Sequence, residues 1–218
     1  MKTPSGKLLG LLLACAAAGA QGAELELEGS HLLVTGMLDG SAMKTFEAHL
    51  ASGQVRTVVF ENSAGGTAEA AGDFARAIRA AGVNTEAKGQ CNAACAYAFL
   101  AGKEHRFGRG PQVNALLIPV AGKPGPGDLA NRWRGDEAHK TLAEFIPAPS
   151  APQAAAAVPA SAPKERWQPD QGVLFTSTPT LFGRVYNSFY CDGTQGRDTS
   201  RCETLSDADP YKLGVLTP

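Results

Sequence analysis

Residues able to do chemistry are few in this chain, and they gather in two short stretches. The first is Asn62-Ser63-Ala64-Gly65-Gly66, between an apolar run and an amphipathic one. Two consecutive glycines ahead of a helix leave backbone N–H groups uncovered, which is what a developing oxyanion needs, so Gly65 and Gly66 are candidate oxyanion donors. Taken alone, the pair reads equally as a tight strand-to-helix turn requiring positive φ. Ser63 beside them is a candidate nucleophile on paper, but serine there also serves turns and caps, and no base is placed for it. The second stretch is Cys91-Asn92-Ala93-Ala94-Cys95. A cysteine at a helix N-terminus can be an acidic thiol, and a pair can bind zinc, yet no further His or Cys pair completes a tetrahedron. His105, at a strand start next to Arg106, and His139, on a polar helical stretch, read as surface residues.

The elements that must hold these residues follow from periodicity. Glu24 to Glu28 and His31 to Thr35 read as strands, and Ser41 is placed to cap a helix with apolar positions Ala42, Phe46, His49 and Leu50. Val55 to Phe60 is a strand apolar enough to be covered on both faces. The spacing then predicts a helix over Thr67 to Ala81, with Ala70, Phe74, Ala77, Ile78 and Ala81 inward and Glu69, Asp73, Arg76 and Arg79 outward, stopped by Gly82. Val83 to Ala87 reads as a strand, Asn92 to Ala101 as a small-residue helix stopped by Gly102, and His105 to Arg109 and Val113 to Ile118 as two further strands. Strand and helix alternating in this order argue for an α/β domain with a mainly parallel sheet.

Asn62-Ser63-Ala64-Gly65-Gly66, the helix after it, and Cys91 to Cys95 ahead of Ala98-Phe99-Leu100-Ala101-Gly102 resemble the Clp peptidase and crotonase superfamily, and in particular its exported bacterial Clp-like members. The resemblance covers roughly residues 30 to 120. It implies a ClpP/crotonase-like core of strand–helix units, a serine between the two cysteines and a histidine on the strand pair that follows. In this chain the serine position is Ala93, and the histidine position falls within Leu116, Leu117 and Ile118. A methyl group cannot attack a carbonyl, and losing nucleophile and base together removes the two groups that act as a unit. The resemblance therefore implies a non-catalytic relative, a pseudo-enzyme that binds a peptide or small acyl-type ligand or serves an assembly. Self-association is implied by the superfamily as well. The competing class is a hydrolase with a displaced nucleophile, either Ser63 or a cysteine.

The whole chain sets the context. Its 218 residues suffice for one domain with an appendage. Lys2 and Lys7, the apolar run Leu8 to Ala20 and the small residues before Glu24 read as an export signal cleaved after Ala20 or Gly22. That run is too short to span a bilayer. A second reading makes Leu12-Leu13-Ala14-Cys15 a lipobox and Cys15 a lipid-anchored N-terminus of a structural envelope protein. Without Lys2 and Lys7, 18 Lys and Arg stand against 21 Asp and Glu, a balance that calls for neither nucleic acid nor an anionic membrane. No nucleotide-binding glycine fingerprint is present, and no cofactor is implied.

Four cysteines beyond Cys15 in an exported, periplasmic protein favour disulfides, first Cys191 with Cys202 and then Cys91 with Cys95. The organisation expected is a signal at 1–22, the α/β domain at 23–146, a Pro/Ala-rich linker or insertion at 147–169 with six prolines, and a disulfide-tied β appendage at 170–218. Trp133 and Trp167 flank the linker, where simple packing of the appendage is the default reading and docking of the linker or a partner surface the alternatives. In the appendage, Val173 to Thr176 and Arg184 to Tyr190 read as strands.

Overall fold

The computed structural model describes residues 22–120, 171–177, 185–188, 203–204 and 208–218. The signal segment with Cys15, the Pro/Ala-rich stretch, His139, both tryptophans and the Cys191–Cys202 pairing lie outside the described residues.

Strands β1 (Glu24–Glu28), β2 (His31–Thr35), β3 (Thr57–Ser63), β4 (Asn84–Asn92), β5 (His105–Phe107), β6 (Ala115–Pro119), β7 (Gln171–Thr176), β8 (Val185–Ser188) and β9 (Glu203–Thr204) form one sheet. Its order is β1-β2-β3-β4-β6-β7-β8-β9, with β5 also on β4. Neighbours from β2 to β6 run parallel, whereas β1 and the strands from β7 onward are antiparallel. The fold is α/β with a parallel centre, and the appendage strands extend the same sheet from β6.

Helices α1 (Met43–Ala51), α2 (Ala68–Ala81) and α3 (Ala94–Phe99) cover the face made by Leu32, Val34, Val58, Phe60 and Ala87. Phe46 and Phe74 meet there with ring centroids 4.5 Å apart. Both α2 ends are set by local chemistry: Thr67 Oγ1 accepts the Ala70 N–H at 3.1 Å, and Gly82 at φ 62° returns its N–H to the Ile78 and Arg79 carbonyls.

Several expectations need correction. Ser41 does not cap α1, because its hydroxyl is engaged by Asp39 Oδ1 at 2.6 Å, leaving Ala42 as the uncapped first residue. Ala81 is exposed, while Ala71 and Ala75 join the buried side of α2. Arg79 is not simply outward, since it hydrogen-bonds the buried Tyr97 of α3. The stretch from Lys88 to Asn92 belongs to β4, and α3 begins two residues later than the small-residue pattern predicts.

Candidate functional site

In parallel sheets the strand C-termini open onto the helices' N-terminal ends, which is where ligands are held. Here β3 and β4 deliver Ser63 and Cys91, register partners, to one edge of the sheet. Beyond Asn92 the chain turns sharply into α3 through Ala93, at φ 47° and ψ −107°. An alanine at positive φ is uncommon and strained, of the order of 1–3 kcal/mol. Its surroundings impose the conformation. Ala93 N–H donates to the Leu117 carbonyl at 2.9 Å, its own carbonyl accepts the Tyr97 N–H at 3.0 Å, and a Cys91–Cys95 disulfide straddles it with Cα atoms 5.2 Å apart. The cysteines fall at a strand end and in a helix, which brings them closer than the 6 Å or so of a four-residue helical spacing.

Such a strand-to-helix elbow is the backbone device that presents a nucleophile, but it presents only a methyl group, 6 % exposed.

The two glycines have different reasons to be there. A Cβ on Gly66 would stand 2.0 Å from the Leu38 carbonyl oxygen, because the Leu38 backbone bridges to this turn: Leu38 N–H donates to Gly65 O at 2.9 Å and Thr67 N–H to Leu38 O at 3.0 Å. Gly66 is thus accounted for by close packing of backbone. Gly65, at φ 127°, faces the elbow: a Cβ there would lie 3.4 Å from Asn92 O and 3.8 Å from the Ala93 methyl. Among the described residues neither glycine N–H donates to a backbone carbonyl.

Among the described residues no base stands beside the elbow. β6 pairs Leu116 with Cys91 and Leu117 with Asn92, and Leu116, Leu117 and Ile118 are all buried aliphatic residues. The described histidines lie at the other edge of the sheet. His31 pairs with the first residue of β3 (Thr57) and His105 with the second of β4 (Thr85), and His49 is in the last turn of α1, which leads back to that edge. Thr85 precedes Ala93 by about 25 Å of extended chain, at ~3.3 Å per residue. His105 is not a surface residue as its sequence context implies: it is 7 % exposed, with Nδ1 2.8 Å from the Val215 carbonyl.

The rescue residues are likewise occupied. Ser63 is fully buried and its hydroxyl points back to Gly65 O at 3.4 Å. Cys91 and Cys95 are oxidised and buried, so neither offers a thiolate or a zinc ligand. Among the described residues no group of three His, Cys, Asp or Glu is gathered for a metal ion.

Sequence reasoning missed the polar struts behind the elbow. Asn114, 3 % exposed, accepts Gly89 N–H at 2.8 Å and donates to Gly108 O at 2.7 Å, fixing the bend where β4 turns from β5 to β6. Asn62, at φ 51°, sets the bulge opposite, and Gly89 leaves room for its side chain. The signal available was a lone asparagine ahead of the apolar run Ala115 to Ile118. A groove of about 450 Å³ lies elsewhere, on the helix-free face over Leu33, Val59, Lys88 and Arg106. It is open to solvent and no elbow residue lines it.

No family model matches the chain, and no curated protein does. Among solved structures it is similar to a serine-to-alanine mutant of a membrane-bound stomatin-specific protease (16 % identity, 44 % of this chain and 50 % of that one, TM-score 0.32). It is also similar to an enoyl-CoA hydratase from Mycobacterium avium subsp. paratuberculosis (15 %, 51 % and 54 %, 0.34) and to Pseudomonas aeruginosa DspI (15 %, 50 % and 57 %, 0.34). The chain spans about half the length of these structures. At such scores the likeness decides nothing about the site.

Proposed function

We propose that this is an exported, non-catalytic protein of the Clp/crotonase-like type, whose elbow cleft holds the carbonyl or carboxylate of a peptide or small acyl ligand without turning it over. The observation that carries the reading is Ala93: a strained elbow, kept in place by a disulfide and bordered by Gly65, ends in an inert methyl group. Backbone donors alone stabilise an oxyanion but supply neither attack nor proton transfer, and the residual effect of such a site is small beside that of the complete constellation. Binding is what such a cleft retains. Among the described residues no helix is long and apolar enough to cross a membrane. Self-association, implied by the superfamily resemblance, belongs to the same reading.

Treatment of the full-length protein with a fluorophosphonate and, separately, with iodoacetamide tests this. The expected result is no stoichiometric labelling of the oxidised protein by either. Labelling at one residue, lost when that residue is replaced, would establish the displaced-nucleophile hydrolase instead. Native mass spectrometry of protein purified from its own compartment identifies a co-purifying ligand, and the mass of the mature N-terminus separates cleavage after Ala20 or Gly22 from acylation at Cys15.

A further inference from the structure

The C-terminal segment 208–218 packs its own small knot against the start of β5. Val215 and Leu216 N–H groups both donate to Pro210 O, at 2.8 and 3.1 Å, while Asp209 Oδ1 accepts from Tyr211 and Lys212 N–H. Ala208, Leu213, Val215 and Leu216 are buried, so this short segment adds to the core. The hydrogen bonds that join it to β5 run through one residue. Thr217 N–H donates to His105 O at 2.8 Å, His105 N–H donates to Thr217 Oγ1 at 2.9 Å, and the His105 ring meets Val215 O at 2.8 Å through Nδ1. A carbonyl can only accept, so Nδ1 carries the proton and Nε2 is the basic nitrogen.

That nitrogen sits in a pocket without charge. β4 contributes Thr85 and α3 contributes Phe99, whose ring lies edge-on with centroids 5.5 Å apart. At β5, Arg106 pairs with Glu104, the residue before the strand, at 2.6 Å, and both are half exposed; Glu86 of β4 is on the helix-free face, lining the groove there. In the tail, Asp209 is engaged by backbone N–H groups, and Tyr211, Lys212 and Pro218 are exposed.

We propose that residues 208–218 form a pH-gated clasp: protonation of His105 at Nε2 undocks the tail from β5 while the sheet stays folded, uncovering Phe99 and the apolar side of Val215 and Leu216. This stands independently of the elbow reading. Burial holds the docked imidazole below its ordinary value of 6.5, the Val215 carbonyl offsetting part of that. The undocked ring takes up a proton more readily than the docked one. Docking is therefore fully favourable above the ordinary value and is lost as pH falls below it, toward the docked value.

Hydrogen exchange on the full chain, corrected for intrinsic rates, reads this directly. Between about pH 7.5 and about pH 5, opening of the amides of 213–217 is expected to rise while β3 and β4 amides hold, and trypsin should begin to cut after the exposed Lys212. His105→Asn keeps a donor for the Val215 carbonyl but cannot titrate, and should keep the tail closed at both pH values. Tail exchange indifferent to pH, β3 opening along with the tail, or undiminished pH dependence in His105→Asn would each overturn the clasp. Should that variant not fold, NMR of the natural chain decides: the His105 ring and the Val215 and Leu216 methyls must titrate with one midpoint below 6.5, and separate midpoints overturn it.

Discussion

The two ends of β4 are built on opposite plans. At its C-terminal end stand a strained elbow and a glycine turn beside it, and among the described residues the neighbouring side chains are the Ala93 methyl, a disulfide and buried aliphatic groups. Beside its N-terminal end stands a buried imidazole, His105, with no strained elbow next to it among the described residues. Among the described residues the strained backbone and the buried imidazole lie nearly the length of β4 apart, whereas an activated nucleophile needs its base within hydrogen-bond reach. The difference teaches that each end of the strand is maintained by its own partners, the elbow by the Leu117 carbonyl and the Cys91–Cys95 disulfide, the imidazole by the tail contacts at Val215 and Thr217.

That comparison breaks most visibly at the glycine turn. Gly66→Ala should cost about 3 kcal/mol or more, since its Cβ meets a carbonyl oxygen already committed to Thr67 N–H and the backbone itself must shift. Gly65→Ala should cost less, about 1–3 kcal/mol of φ strain, because its Cβ has ordinary to tight room. Urea unfolding of both variants checks the order. A reversed order would mean that Leu38 does not hold the turn.

The disulfide comes next. Replacing Cys91 and Cys95 by alanine opens a closed loop of five residues and should remove about 2 kcal/mol by loop entropy, again by urea midpoint. If the elbow depends on the cross-link, the Ala93 amide should also exchange faster in the double variant while His105 and its tail contacts remain as they are. Equal loosening at both ends of β4 would refute their independence.

How far the sequence disclosed this architecture differs between the same two ends. Ala93 and Gly65 were singled out through the resemblance, which rests on Asn-Ser-x-Gly-Gly and Cys-x-x-x-Cys, short patterns whose residue types answer local backbone demands. His105 was misread because its burial comes from residues 208–218, a contact more than a hundred positions away that leaves no periodic trace around it. The same holds for Arg79, placed outward by helical spacing and drawn to Tyr97 by a second helix. Ser41 looked like a cap until Asp39, two residues before it, took its hydroxyl. Local pattern reports what a segment prefers; partner identity is a property of the assembled sheet.

A smaller effect isolates the strain itself. Ala93→Gly should raise stability by about 1 kcal/mol, the relief of positive φ exceeding the added chain entropy. Thermal unfolding at neutral pH measures it, and a loss of stability would show that the surrounding contacts favour a Cβ in that conformation.

The smallest expected effect is also the most informative. Ala93→Ser restores the hydroxyl the resemblance assigns to this position, on an elbow already shaped to present it, with Gly65 alongside. Turnover of ester and peptide substrates should nevertheless stay at background, because a serine hydroxyl at its ordinary acidity needs a base, and the neighbouring strand offers Leu116, Leu117 and Ile118. Measurable hydrolysis in the single variant would reveal a base among the residues outside the described set and return this end of β4 to catalysis. Inactivity in a folded Ala93→Ser protein is the outcome expected if the hydroxyl alone, without a base beside it, cannot act.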